Sequence, residues 1–464
     1  METVIILVFV FGYLAITLEH SIRIDKLIPA LVMMAISWAL ISLGIDDFSQ
    51  WFNSAKHSLI ENFGLLNHDE KMHLMEETLL HHLGKTAEIL VFLLGAMTIV
   101  EIIDYFDGFS TIKTAVKFNS RKKLLWLFSI LAFILSAIID NLTATIVLIS
   151  ILQKIIKDRD IRIWYAGLII IAANAGGAWS PIGDVTTTML WIGDKVSTGK
   201  LLIYLFIPSL LCMILPTYIA SLLKPFKGTL ELQKPQDKPA NKFSSTMLFL
   251  GLGAIVFVPV FKVITHLPPY VGMMLSLGVV AIFAEIYTNS KFAISHIDST
   301  EHHEHSSHSP VHQSLSKIEL PSILFFLGIL MAVAALESLG VLFGFADWLK
   351  TLSMLGTELP SADISDKVFL GIAGSSAGID NVPMVAAALG MFNANLDDPL
   401  WHFIAYAAGT GGSMLIIGSA AGVVAMGMER INFFWYFKKI SWLALIGFTI
   451  GFIAFIFIRT IIAN

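Results

Sequence analysis

Charge is scarce in this chain. Only 14% of its 464 residues are Asp, Glu, Lys or Arg, against about 25% in soluble globular domains. The shortage excludes a water-facing surface over most of the length. Cysteine is nearly absent as well. Cys212 stands alone in LLCMILP, so no internal disulfide can form, and it reads as a small core residue. The opening segment, METVIILVFVFGYLAITLEH, lacks a basic leader and a small-residue cleavage site. It is expected to be a retained first span and not a signal peptide.

What is present is apolar. The chain is 56% hydrophobic and its mean hydropathy is +0.77. Stretches long enough to cross about 30 Å of hydrocarbon recur along its length. In lipid the backbone must satisfy its own polar groups, so the expected fold is an all-α polytopic membrane protein. Ten spans are expected, near 2–19, 27–44, 88–106, 163–190, 200–222, 244–265, 269–287, 319–343, 401–428 and 433–460. Two apolar stretches remain, 124–153 and 367–393, and each is broken in the middle by Asp-Asn. These pairs are Asp140-Asn141 in LSAIIDNLTATIVLISIL and Asp380-Asn381 in GIAGSSAGIDNVPMVAAALGM. A carboxylate at membrane depth is costly and rare unless it has a task or a partner.

Basic residues orient the chain. Lys113, Lys117, Arg121, Lys122 and Lys123 precede the segment 124–153, and Lys154, Lys157, Arg159 and Arg162 follow it. With both flanks cytoplasmic, the segment is a re-entrant hairpin with Asp140-Asn141 near its tip. The five lysines of 224–242, and Arg430, Lys438 and Lys439, mark further cytoplasmic turns. The acidic loop from Asp46 to Glu88 falls outside, as do Asp397 and Asp398.

The two halves echo one another. Phe92-Leu-Leu-Gly95 matches Phe325-Phe-Leu-Gly328, and Asp104 meets Glu337 at the same offset (337 − 104 = 233). The Asp-Asn pairs follow at 240 (380 − 140), then Gly176-Gly177 with Gly411-Gly412 and Gly183 with Gly418 at 235 (411 − 176, 418 − 183). Each repeat is a span, a hairpin and two spans, so two linking spans invert the second copy. The expected organisation is a two-span region with an external loop at 1–87 and a first repeat at 88–222, with hairpin 124–153 and broken helix 163–190. A linker at 223–318 then carries two spans and a His-rich loop. The second repeat, 319–464, contains hairpin 367–393 and broken helix 401–428.

The strongest local signal is NAGGAWSPIGD, residues 174–184, followed by Val185-Thr-Thr-Thr188. Gly-Gly, Ser-Pro and Gly this close together break a helix. The break frees carbonyl oxygens, and Asn174, Ser180, Asp184 and Thr186 add side-chain oxygens, the ligand type that suits hard cations. The second copy, GTGGSMLIIGS, offers Thr410, Ser413 and Ser419 but no carboxylate. A plainer role for these residues is helix capping, by Asp140 or Asn141, with Thr143 and Thr145 bonding back to the helix. Glu101, Asp104 and Glu337 lie nearer span ends, where an interfacial pairing role competes with a proton-pathway role. His296, His302, His303, His305, His308 and His312 fill one loop. Metal binding or pH sensing is open to them, but a variable solvated connection is the simpler reading.

DNLTATIVL, NAGGAWSPIGDVTT, DNVPMV and GTGGSMLIIGSAAGV together resemble the NhaD-type sodium/proton antiporters of the ion transporter superfamily. That superfamily also holds dicarboxylate, citrate and arsenite carriers. The resemblance runs from about Leu90 to the C-terminus. In the sodium-coupled dicarboxylate branch the hairpin tips carry Ser-Asn-Thr. Here the tips carry Asp140-Asn141 and Asp380-Asn381, with Thr143 one place later and Pro383 in place of a threonine. The resemblance implies a scaffold domain, a transport domain of hairpins and broken helices, a homodimer, and a place in the cell (inner) membrane.

The expected activity is export of Na+ or Li+ in exchange for H+. A carboxylate removed from water holds its proton more tightly, and a bound cation displaces that proton, so one site carries one ion or the other. The expected ligands are Asp140, Asn141, Asn174, Ser180 and Asp184 for the metal ion, with Thr143 and Thr186 beside them and Asp380, Asn381 and Ser413 as the symmetry-related set. No cofactor, catalytic residue or nucleic-acid partner is expected; the partners are the bilayer and the transported ions. Three rivals stand. An anion symporter of this fold would want cationic groups near its motifs, and Lys and Arg are missing there. An intramembrane aspartyl protease needs Gly-x-Gly-Asp, whereas Pro181 interrupts that pattern. A channel makes poor use of hairpins entering from both faces. Deleting residues 302–308 should leave exchange intact and shift its pH profile by less than about one unit, measured with a pH dye in everted vesicles.

Overall fold

The computed structural model describes residues 1–53, 58–60, 62–114, 119–230, 243–295, 309–344 and 381–463. Two N-terminal helices, α1 (Glu2–Thr17) and α2 (Leu27–Leu43), are followed by a two-stranded ribbon, β1 (Phe52–Asn53) and β2 (Ser58–Leu59), with Phe52 opposite Leu59. Helix α3 (His68–Tyr105) then runs for 38 residues. It begins twenty residues before the expected span at 88, inside the expected external loop. The reason is a capping box. Glu70 N donates to Asn67 Oδ1 at 2.9 Å, and Asn67 N donates to Glu70 Oε2 at 3.1 Å. That box starts a helix whose first turns are too polar to register as membrane.

The first repeat continues with α4 (Arg121–Ile139), α5 (Asn141–Ile155), α6 (Arg159–Ala178), α7 (Val185–Ile192) and α8 (Thr198–Leu222). The linking spans are α9 (Ser244–Thr265) and α10 (Pro269–Ser295). The second repeat holds α11 (Leu320–Ser338), α12 (Asn381–Met391), α13 (Pro399–Gly411), α14 (Ala420–Glu429), α15 (Phe433–Lys439) and α16 (Ser441–Ala463). Among the described residues, eight helices are long and apolar enough to cross a membrane, and α1, α2, α5, α12 and α14 are shorter apolar helices. The chain is an all-α, multi-pass membrane protein.

The stretch 124–153 is a hairpin. Asp140, at φ 97° and ψ 160°, separates α4 from α5. At the open end, Tyr165 OH donates to Arg121 O at 2.7 Å, and Arg162 Nη1 donates to Ile156 O at 2.8 Å. Arg121 opens α4 and Ile156 follows α5, yet both bond to neighbouring turns of α6. At the closed end, Ser136 Oγ donates to Ala173 O at 2.6 Å and Asn141 Nδ2 donates to Asn174 Oδ1 at 3.1 Å. The eight to twelve residues of α6 between these ends span roughly 12–18 Å, about half a hydrocarbon core. The tip therefore lies about half the thickness of a hydrocarbon core from the open end of the hairpin. The first arm of the second hairpin, 367–380, lies outside the described residues, and so does the His-rich loop apart from His312.

Repeat symmetry shows in contacts. Helices α8 and α16 pack along one another, and a Cβ on Gly447 would lie 2.6 Å from Cys212 O. These residues stand at the repeat offset (447 − 212 = 235). Lys195 and Arg430 form another pair (430 − 195 = 235). Lys195 O accepts from Asp397 N at 2.9 Å, and Arg430 O accepts from Arg159 Nη2 at 2.7 Å. At each end of the molecule, the segment leaving one hairpin is tied to the end of the other repeat's broken helix. The end carrying Arg121, Lys157, Arg159, Arg162 and Arg430 is the basic one. At the opposite end, Asp397 also accepts from Ser197 N at 2.6 Å. Partial burial alone would raise its pKa, but the His402 imidazole 3.5 Å away and the Ser197 amide outweigh that and lower it to about 2.

With Cys212 replaced by Ser, Asn119→Cys and Asp158→Cys should both be unreactive to an impermeant thiol reagent on intact cells and both reactive in everted vesicles. Reaction of one alone from either side would make 124–153 an ordinary span.

Candidate functional site

Broken helices create the site. Helix α6 stops at Ala178 and α7 starts at Val185. The break stays compact because its glycines let backbone meet backbone. A Cβ on Gly177 would fall 2.5 Å from Gly183 O, and one on Gly412 would fall 2.5 Å from Gly418 O, the same contact in both repeats. Gly176 lies flush against the Phe133 carbonyl of α4, and a Cβ on Gly183 would meet Ser136 O at 2.7 Å. These contacts seat the broken helix against the hairpin just below its tip.

Three half-helix N-termini converge there, each with an oxygen-bearing cap. Asp140 caps α5, accepting from Thr143 N at 2.7 Å and from Thr143 Oγ1 at 2.9 Å. Asp184 caps α7, its Oδ1 accepting from Thr186 N at 2.8 Å and Thr186 Oγ1 at 2.7 Å. Ser419 caps α14 and accepts from Gly422 N at 3.2 Å. Two amides join them. Asn141 Nδ2 donates to Asp184 Oδ2 at 2.6 Å and to Asn174 Oδ1 at 3.1 Å. Asn174 Nδ2 donates to Ser419 Oγ at 2.9 Å. The chain of bonds thus runs from the first repeat's hairpin, through its broken helix, into the second repeat. Asn141, Asn174, Asp184, Thr186 and Ser419 are buried, and Asp140 is half-buried.

The capping reading of Asp140 is therefore realised, and it coexists with the site. Ser180 is buried within the break, where its Oγ accepts from Ile182 N. Ser413 is buried in the symmetric break but turns its hydroxyl back to Thr410 O at 2.7 Å. Asn381 heads α12, and its buried Oδ1 has no hydrogen-bond donor among the described residues. Asp380 lies outside the described residues. Glu101 and Asp104 are on the last turns of α3, Glu101 half-buried and Asp104 exposed. Glu337 closes α11, and its carboxylate faces Gly390 of α12, where a Cβ would lie 3.0 Å away. Thr145 is buried and its hydroxyl does not bond back to its helix. Ser419 is the partner the expected ligand set left out. The available signal was the repeat offset, since 184 + 235 = 419 places it opposite Asp184.

The donor set is amide, hydroxyl and carboxylate oxygen. Among the described residues, no group of three or more His, Cys, Asp or Glu gathers to hold a metal ion. Oxygen donors of this kind suit hard cations.

The Citrate transporter family matches residues 12–401. Sodium/proton antiporter 1 of Arabidopsis thaliana is 38% identical over 98% of this chain and 72% of its own length. Sodium/proton antiporter 2 of the same plant is 37% identical over 97% and 98%. The chain belongs to this family, as a NhaD-type member. The Na(+)/H(+) antiporter NhaD of Vibrio cholerae is 29% identical over 96% of the chain and 89% of its own length. These relatives are transporters, so the protease reading falls away.

Gly176→Ala should cost about 2 kcal/mol or more, because the neighbour it meets is backbone that cannot rotate aside. A thermal midpoint in detergent equal to that of the unaltered protein would mean the α4–α6 contact is looser than described.

Proposed function

We propose that this chain exchanges Na+ or Li+ for H+ by alternating access, with Asp140 and Asp184 as the carboxylates that carry proton or cation in turn. The observation that carries this reading is the capping of helix N-termini by two carboxylates within one hydrogen-bonded cluster. A helix N-terminus is positive and by itself binds anions. An Asp cap supplies the negative charge from within, so the site no longer calls for an anionic substrate. It then has charge to offer a cation. Asn141, Asn174, Ser180, Thr143 and Thr186 supply neutral oxygens around the pair, and Ser419 completes the layer from the other repeat. Asp380 and Asn381 of the second hairpin, with Ser413 of the second broken helix, are the proposed counterpart. Glu101, Asp104 and Glu337 are proposed as stations on the proton's route.

Proton and cation exclude one another at such a site. A bound cation favours the ionised carboxylate and releases the proton, while protonation on the other side releases the cation. Changing exposure between the two events turns that competition into exchange. A homodimer in the cell membrane, the inner membrane in a two-membrane bacterium, is the assembly we propose. The support is the extent of the likeness to bacterial antiporters.

Asp140→Asn tests the assignment, since Asn keeps size and capping ability but cannot titrate. In everted vesicles with a pH dye, the unaltered protein should respond to Na+ or Li+, and the variant should not respond although it is present in the membrane. A response to citrate or succinate in place of Na+ would favour the anion-symport reading that the family's name suggests.

A further inference from the structure

Two arginines at the basic end of the molecule grip the far end of α14. Arg159 Nε donates to Glu429 O at 3.1 Å and its Nη2 to Arg430 O at 2.7 Å. Arg162 Nε meets Glu429 Oε1 at 2.9 Å, while its Nη1 donates to Ile156 O at 2.8 Å and Lys157 O at 2.9 Å. Gln153 Nε2 adds a bond to Met428 O at 3.2 Å. The Glu429 side chain is 1% exposed and that of Arg162 15% exposed, so this pair is shielded from the solvent that weakens surface ion pairs. Arg159 serves the orphan carbonyls at a helix C-terminus, where cationic groups are favourable. Arg162 does something different, joining the exit of the first hairpin to a carboxylate on the second repeat.

Helix α14 is only 10 residues long, about 15 Å. Its other end is Ser419, which receives the Asn174 amide in the binding layer. A rigid rod thus connects the arginine grip to the ion site. We propose that Arg162 is a positioning residue for cation binding: through Glu429 it holds α14 at the depth where Ser419 fixes the Asn174 amide, and so aims Asn174 Oδ1 at Asn141. This rests on the exchange function proposed above. Arg162 itself touches no transported ion.

The test is equilibrium Na+ binding to the purified, full-length protein by calorimetry, with thermal midpoints in parallel. Arg162→Gln should weaken Na+ binding about tenfold, and Arg162→Lys should weaken it in the same sense, because a single ammonium nitrogen cannot stand in for the two separate nitrogens, Nε and Nη1, that Arg162 uses. In vesicles the loss should fall on the apparent KM for Na+, with the maximal rate within about twofold. Ser419→Ala should weaken binding too. In that background Arg162→Gln should add less than about twofold, since both changes act through one contact. Unchanged Na+ affinity in both Arg162 variants, with only a lowered midpoint, would overturn the proposal. So would losses that multiply in the double variant. If Arg162→Gln does not fold, Arg162→Lys and its pairing with Ser419→Ala decide. If the unaltered protein binds neither Na+ nor Li+, the exchange function itself falls, and this proposal with it.

Discussion

The structure depends on helix ends placed where water is absent. A helix that stops away from water presents unsatisfied N–H groups and half a positive charge to a medium that can answer neither. This chain creates such ends at Asn141, Val185 and Ala420, and answers each with an oxygen acceptor from the residue before: Asp140, Asp184 and Ser419. In the function proposed here, capping and ion handling are one interaction viewed from two sides. The buried aspartates satisfy the helix ends, and the helix ends favour their charge.

Placing three helix ends in one layer requires close approach, and the glycines supply it. Gly176 and Gly183 bring the first break onto the hairpin, Gly409 brings the second broken helix onto Ala178, and Gly447 brings α16 onto α8. Membrane helices gain little from burying apolar surface against one another, so close packing of small residues has to hold them together. The polar bonds are then concentrated in two kinds of place. One is the Asn141–Asn174–Ser419 chain in the centre, and the other is the pair of end ties through Lys195 and Arg430.

Much of this was legible beforehand. Paired Asp-Asn motifs in apolar runs, flanked on both sides by basic residues, reveal the first hairpin, since charge bias and hydropathy are local properties. The repeat offsets of 233 to 240 reveal the second copy for the same reason. The start of α3 at His68 escaped notice because hydropathy reports lipid exposure and is silent on a polar helix, although Asn67 and Glu70 carried the capping signal. Ser419 was seen as a hydroxyl in a broken helix but not as a partner of Asn174. No property of Ser419 or its neighbours names a residue 245 positions away.

By itself, the sequence determined that the chain is membrane-embedded and helical, broken around Gly-Gly and Ser-Pro, and supplied with carboxylates where its helices restart. Each follows from residue type and short-range spacing, which the backbone converts directly into helix, turn and cap. Only the tertiary structure decided which oxygens share a site, which way the Asn174 amide points, and that Arg162 and Glu429 meet. Those outcomes depend on how helices distant in the chain pack together. That packing is a property of the assembled surfaces, and no single segment contains it.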